Sequence, residues 1–137
     1  MAPVLHPFPD AELVMLDLIP TSIGNTVTST GSTVPAGTIL VERVGGPDDG
    51  VTDKPRLALI FYGSTRKHAW EMCRKAQQHI IASGGTLVSG PNVQNVLIDV
   101  GRTATPPRQL SEFGRGARMV QIIVELHMRR QYPYLAH

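Results

Sequence analysis

The chain has 137 residues, of which 42% are hydrophobic and 18% are charged. This size and composition predict a single domain over residues 1–137, with one hydrophobic core. Thirteen Lys and Arg residues against eleven Asp and Glu residues give a net charge of +2, so the pI near 9.0 does not indicate a polycation, and nucleic-acid binding through bulk charge is not expected.

Cysteine usage and hydropathy narrow the class of protein further. Cys73 is the one cysteine of the chain, which excludes an internal disulfide framework and multi-cysteine zinc sites. A reducing, intracellular site of synthesis is the natural interpretation. Residues 1–7 lack a basic segment followed by an apolar one, and no run of eighteen apolar residues occurs. We therefore expect neither a signal peptide nor a membrane partner.

The first predicted element is a helix over about residues 9–19. Proline is tolerated at the first helical position, which suits Pro9. Asp10 and Glu12 put negative charge at the positive end of the helix dipole. Pro20 cannot continue the helix and ends it.

Three strands are predicted in the first half of the chain. A weak, Thr-rich one covers residues 26–29. Residues 38–44 are rich in β-branched side chains and stop at a glycine pair, which can adopt positive φ. Residues 56–62 are apolar on both alternations, which predicts a central strand.

A long helix is predicted next, with Ser64 as its N-cap, an end near residue 83 and a left-handed stop at the following glycine pair. Small and soft side chains recur along it at helical spacing. This stripe, which we expect to lie flat on a sheet, consists of Ala69, Met72, Cys73, Ala76 and Ile80.

The remaining chain predicts a strand over residues 93–102, a long loop over 103–116 and a last strand over 117–130. In the last strand the even-numbered positions from Val120 to Met128 are apolar and the odd-numbered ones are mostly polar, so one face should be buried and the other wet. The whole order predicts an α+β domain, in which one long and one short helix pack on a mostly antiparallel sheet.

No pattern of catalytic or metal-binding residues is present. The five histidines lack the spacing of zinc ligands, and Cys73 and His79 lie on different faces of one helix. The glycine pair at 45–46 is followed by a proline, aspartates and a strand, whereas a phosphate-binding loop leads into a helix. The sequence therefore predicts no enzyme, no cofactor and no metal.

Two loops are the candidate interaction sites. Asp48, Asp49 and Asp53 repel one another on a short connection, and cations from a neighbouring molecule would relieve this repulsion. The loop at 103–116 is long enough to be functional and is either a flexible hairpin tip or an arm that orders on a neighbouring subunit. The predicted subunit or tail interface consists of Arg43, Asp48, Asp49, Asp53, Arg56, Arg108, Leu110 and Phe113.

Three motifs occur in a characteristic order. They are Pro-Asp-x-Glu-Leu at 9–13, the run from Val41 to Gly46 leading to Pro-Arg-Leu at 55–57, and Val-Glu-Leu-x-Met-Arg at 124–129. In this order and spacing, over most of its length, the chain resembles the tail terminator proteins of long-tailed bacteriophages, particularly phages of actinobacteria. It departs from them in its Ser/Thr/Gly segment at 24–34 and in the loop at 103–116.

The resemblance implies a structural virion protein of α+β fold. Members of that family form homohexameric rings that cap the tail tube at its set length and join the tail to the DNA-filled head. The implied partners are further copies of the chain, the major tail tube protein, the head–tail stopper or connector protein, and genomic DNA passing through the ring lumen without sequence specificity. The implied location is the head–tail junction of the virion, after synthesis in the host cytoplasm.

Two alternatives stay open at this point. A head–tail stopper or another neck connector would share the size and the ring symmetry, but it would bind the portal side and not the end of a tail tube. A small cytosolic enzyme or ligand-binding domain would instead show a deep pocket lined by convergent polar groups.

Overall fold

A computed structural model describes residues 7–31, 33–110 and 118–129. Its elements are α1 (Ala11–Leu18), β1 (Asn25–Val27), β2 (Thr38–Gly45), β3 (Thr52–Asp53), β4 (Arg56–Tyr62), α2 (Arg66–Ile81), β5 (Thr86–Val88), β6 (Val96–Leu110) and β7 (Met119–Arg129). The strands form one sheet in the order β1-β2-β4-β7-β6-β5, with β3 also paired to β7. The β1–β2 pair is parallel and the others are antiparallel. The α+β prediction is confirmed.

The central strand is β4, as its two apolar alternations predict. It pairs with β2 on one side and with β7 on the other. Leu57, Leu59 and Phe61 are fully buried on one face, and Ala58 is buried on the opposite face. A strand that is apolar on both alternations is typical of the interior of a sheet, and β4 occupies such a position.

Both helices pack on the same face of the sheet. The predicted stripe of α2 is buried, from Ala69 to Ile80, and Val14 and Met15 of α1 belong to the same core cluster. The even-numbered side chains of β7 from Val120 to Met128 line this covered face and are all buried, as expected. The opposite side of the sheet, which we call the open face, has no helix on it in the described structure. Its central residues are Leu40, Ala58, Ile60, Gln121, Ile123 and Glu125.

Each helix begins one residue or more later than predicted. Asp10 is the N-cap of α1, where its Oδ1 accepts from the backbone N–H groups of Glu12 and Leu13 at 3.0 and 3.3 Å, so Pro9 lies before the helix. The N-cap of α2 is Thr65, whose hydroxyl accepts from the N–H of His68 at 3.1 Å. A side-chain oxygen one residue further along replaces the predicted serine in the same capping role.

The long loop predicted over residues 103–116 is wrong for its first half. β6 continues to Leu110, and its second half pairs with β7, including Thr103 opposite Val124 and Leu110 opposite Met119. Two one-residue register shifts interrupt this half of the pairing and a third lies nearer the start of β6. Such bulges bend a strand and increase its twist. Residues 111–117, with Phe113 among them, lie outside the described residues.

Proline misled the prediction for this segment. Pro106-Pro107 normally signals a break, but β6 lies near the edge of the sheet, where β5 covers its outer side only from Val96 to Ile98. The two prolines fall at a register shift between Thr105 and Arg108, and prolines are tolerated at such bulges and on an open edge because no ladder hydrogen bond is lost there. Pairing with the strongly apolar β7 therefore decides the conformation of this stretch.

The sequence also gave no sign of β3 or β5, which have two and three residues. The segment after β5 is held by Asp17 of α1, whose carboxylate accepts from the N–H of Asn92 and of Val93 at 2.9 and 2.8 Å. Burial would raise the pKa of Asp17, but these bonds and a third from the Asn92 side chain lower it. The curled sheet thus brings β5 towards α1.

Candidate functional site

The acidic loop, residues 46–54, is clamped at its base by an ion pair. The guanidinium of Arg43 donates to both carboxylate oxygens of Asp53, at 2.9 and 3.0 Å, and Asp53 is only 3% exposed. The same guanidinium donates to the carbonyl oxygens of Gly45 and Gly46 at 3.2 and 3.0 Å. Gly46 has a φ of 95° and lies against the backbone of Lys54, where a Cβ would clash. The base of the loop is therefore closely packed.

The tip of the acidic loop is ordered by its own carboxylates. Oδ1 of Asp48 accepts from the N–H of Gly50 at 3.1 Å, and Oδ1 of Asp49 accepts from the N–H groups of Val51 and Thr52 at 2.9 and 2.7 Å. The bonds from Thr52 and Val51 lower the pKa of Asp49, which keeps the carboxylate charged. The tip presents two exposed carboxylates and Val51, which is 66% exposed.

These contacts change the expectation that all three aspartates need cations from a neighbour. Asp53 receives its cation from Arg43 of the same chain, because the strand pairing of β3 turns its carboxylate towards the loop base. The carboxylates of Asp48 and Asp49 remain at the surface.

Glu125 is the second ionic centre, on the open face. Its Oε1 accepts from Nε of Arg56 at 3.3 Å, and its Oε2 lies 2.8 Å from Nε2 of His127 and also pairs with Nη2 of Arg102. Burial would raise the pKa of Glu125, but hydrogen bonds from His127, Arg56 and Arg102 lower it. The site is a carboxylate surrounded by three nitrogen donors from β4, β6 and β7.

The prediction that the odd-numbered side chains of β7 face solvent is therefore wrong at Glu125. The residue does point away from the helices, but it is 3% exposed. The long stems of the two arginines cover it, while their side chains remain 56% and 59% exposed. Arginine stems commonly shield a surface in this way while the charged group stays in water.

A groove of about 570 Å³ lies beside this centre on the open face. It combines two arginines and one carboxylate with threonine hydroxyls and apolar side chains. The lining residues are Val44, Arg56, Arg102, Thr103, Ala104, Thr105, Ile123 and Glu125.

Exposed apolar side chains extend the open face towards β5. Leu87 and Leu97 are paired across β5 and β6 and are 64% and 40% exposed. Their sequence neighbours Val88 and Val96 are buried, so the two leucines point away from the core. Exposed large apolar side chains that adjoin one another indicate a surface used for contact.

The predicted residues Arg108 and Leu110 lie on β6 and not in a loop. Nε and Nη2 of Arg108 donate to Oε1 of Gln121 at 3.3 and 3.1 Å. Leu110 is half-buried opposite Met119. The structure thus brings Arg56 and Arg108 onto the open face and places Asp48 and Asp49 at a separate tip.

Sequence reasoning missed Arg102 and His127 as site residues. The sequence pattern places Arg102 at the end of a predicted strand and His127 among the polar positions of the last strand. The signal that could have found them is Glu125 itself. A lone acidic residue inside an apolar strand needs cationic side chains nearby, and Arg102 and His127 can supply them.

Other reactive groups are accounted for within the fold. Cys73 is buried, which raises the pKa of its thiol to about 11. Nδ1 of His68 accepts from the N–H of Ser64 at 2.9 Å. Among the described residues, no three His, Cys, Asp or Glu side chains come together as metal ligands, and no helix is long and apolar enough to cross a membrane.

A scan against models of known protein families found no match, and a search of curated proteins also found none.

Proposed function

We propose that the protein is a structural component of a phage particle, which forms a ring on the end of the tail tube and joins the tail to the head. The open face of the sheet is the surface that meets the tube. One observation supports this proposal above all. The open face, which no helix covers in the described structure, carries a groove, a cluster of arginines and exposed leucines.

The composition of the open face suits contact with another protein. An interface that forms between separately folded proteins is mixed in polarity, is enriched in arginine and has an apolar centre. The open face offers half-buried Ile60 and Ile123 near the middle of the sheet, with Arg56 and Arg102 beside them. Arginine held on a carboxylate is already oriented, so less conformational entropy is lost when a partner binds.

The resemblance to phage tail terminator proteins suggests the remaining partners. They are five further copies of the chain in a homohexamer, the major tail tube protein, the stopper or connector protein of the head, and genomic DNA in the lumen. The place of action is the head–tail junction of the virion.

Mixing the purified protein with purified tail tubes of the same phage tests the proposal. Electron micrographs should show a ring at one end of each tube, and tubes assembled in its presence should be uniform in length. Tubes with bare ends at saturating protein would contradict the proposal. Binding to portal-containing heads, with no binding to tubes, would instead identify a stopper.

A pair of matched variants assigns the binding to the open face. Thr105→Glu adds one negative charge in the groove at an exposed position and should prevent tube binding. Thr21→Glu adds the same charge in the exposed turn after α1 and should bind like the native protein. Equal binding of both variants would remove the open face from the contact.

A further inference from the structure

The outer surface of α2 carries a concentration of positive charge. Four cationic side chains lie on the exposed side of the helix around Trp70, which is half-buried and also packs against the core. This α2 basic face consists of Arg66, Lys67, Trp70, Arg74 and Lys75, which with Glu71 line a shallow depression of about 390 Å³.

Two of these cations are fixed on the tryptophan. The guanidinium carbons of Arg66 and Arg74 each lie 5.6 Å from the centre of the Trp70 ring, one helical turn before and one turn after it. Contacts of this kind are attractive because the ring face is electronegative. Arg66 also donates to Gln109 at 2.6 Å, and Arg74 to Gln77 at 3.1 Å. Both partners are neutral, so the positive charges are positioned but not compensated.

Acidic compensation on this face is small. Glu71 pairs with Lys67 at 3.8 Å. Within the described ranges, no carboxylate forms an ion pair with Arg66, Arg74 or Lys75. The α2 basic face therefore presents a net positive charge to whatever lies against it.

The complementary surface is the tip of the acidic loop of the same chain. It offers the carboxylates of Asp48 and Asp49 and the exposed side chain of Val51, on a loop held rigid by its own hydrogen bonds. The loop lies where β4 begins, whereas α2 starts beyond the opposite end of β4. No ion pair among the described residues joins the tip to α2.

We propose that the acidic loop of one copy docks on the α2 basic face of the next copy, with the aspartates on Arg74 and Lys75 and Val51 near Trp70. Such a contact joins two different patches, so it repeats from copy to copy and closes into a ring when the rotation allows. The ring itself rests on the proposed function. A contact at these two surfaces leaves the open face available for the tail tube.

A second copy fits this face better than a nucleic acid does. The chain is almost balanced in charge, at +2, and the two exposed carboxylates of the loop tip are opposite in charge to the cations of α2. Ile81, at the end of the same helix, is 48% exposed and adds apolar surface that suits a protein partner.

A charge exchange between the two surfaces tests the inference. The loop variant is Asp48→Lys with Asp49→Asn; the asparagine keeps an oxygen that can accept the two turn bonds. The helix variant is Arg74→Glu with Lys75→Gln. The first adds three positive charges and the second removes three, so a chain with all four changes has the native net charge. Circular dichroism melting establishes that each variant is folded.

Sedimentation over a range of concentrations gives the readout. Each two-residue variant alone should need at least about tenfold more protein to assemble, since it places like charges together. The four-residue chain, and an equal mixture of the two variants, should assemble at nearly the native concentration. The inference is overturned if a two-residue variant loses assembly and neither the four-residue chain nor the mixture recovers it. It is also overturned if the two-residue variants assemble like the native protein.

Disulfide trapping gives a second readout that does not depend on charge. Asp48→Cys mixed with Lys75→Cys should form cross-linked pairs of unlike chains on mild oxidation, while Cys73 stays buried and protonated. Pairs of like chains in the same amount would contradict the contact.

The controls separate this inference from the proposed function. If the native protein forms a ring on tail tubes and each two-residue variant alone forms the same ring, only the loop–helix contact is overturned. A native protein that neither assembles nor binds tubes overturns both. Binding of a DNA duplex by the native protein that the helix variant loses, with no effect of the loop variant on assembly, would identify the α2 basic face as a nucleic-acid surface and overturn the contact between copies.

Discussion

The two faces of the central sheet are built on different principles. On the covered face, the β7 side chains from Val120 to Met128 alternate into a continuous apolar core against both helices. On the open face, the same strand contributes Gln121, Ile123 and Glu125, and the buried carboxylate is compensated by side chains from other strands. Apolar burial depends on one strand's own sequence, whereas an ionic centre depends on which strands become neighbours.

The largest expected effect separates the two faces directly. Ile122→Asp puts an unpaired carboxylate on the covered face, where the native side chain is 1% exposed. The cost of several kcal/mol is comparable with the whole stability of a small domain, so soluble expression should be lost. Gln121→Asp, on the open face next to Arg108, should express and melt nearly like the native protein. Equal tolerance of both changes would contradict the strand register.

The next effect concerns the centre of the open face. Arg56→Ala together with Arg102→Ala leaves Glu125 with His127 as its remaining partner. The free energy of unfolding in urea should fall by about 1–3 kcal/mol, the usual cost of leaving a buried charged group short of partners. Each single change should cost less than half of that, because one guanidinium remains. If the two single changes lower the free energy of unfolding only slightly and their effects add up in the double variant, water already reaches Glu125.

A smaller effect is expected in the acid range. The pKa of Glu125 is lower in the folded chain than in the unfolded one, so its contribution to stability is complete above the usual glutamate pKa of about 4.3 and is lost as the pH falls through the lower folded value. Glu125→Gln should therefore be less stable than the native protein at neutral pH. The difference should shrink in thermal melts as the pH falls below about 4.3, and a constant difference would contradict this role of Glu125.

The smallest effect on folding is expected at the exposed leucines of the open face. Leu87→Ser and Leu97→Ser remove apolar surface that the isolated chain leaves largely in water. The unfolding free energy should change by less than about 0.5 kcal/mol. Tube binding should nevertheless weaken, and a variant that binds normally would place these leucines outside the contact.

The sequence predicted the covered face well because periodicity records burial. The α2 stripe, the Leu57, Leu59 and Phe61 side of β4 and the even-numbered side of β7 each follow from one segment's own pattern. Prediction from the sequence failed where the adjacent strands decide the conformation or the burial of a residue. The second half of β6 is a strand because β7 lies beside it, in spite of Pro106 and Pro107, and Glu125 is buried because arginines of two other strands cover it.

The same contacts limit two experiments that the sequence alone suggests. Deleting residues 105–114 as a loop would remove strand residues that pair with Met119 to Ile123, so poor assembly of that variant would not identify an arm. Reversing the charges of Arg43 and Arg56 would set a new carboxylate beside Asp53 and another beside Glu125. The resulting loss of stability would obscure any effect on a subunit contact.

The proposed function requires the open face to be covered when the protein sits on the tail tube, and thiol labelling measures whether it is. Thr105→Cys puts a thiol in the groove, while Cys73 stays unreactive because it is buried and its pKa is raised to about 11. Maleimide should label Thr105→Cys readily in the free protein and at least about tenfold more slowly on tail tubes, since a covered thiol is out of reach of the reagent. Thr21→Cys should react equally in both states. Unchanged labelling of Thr105→Cys on tubes that carry the protein would contradict the account.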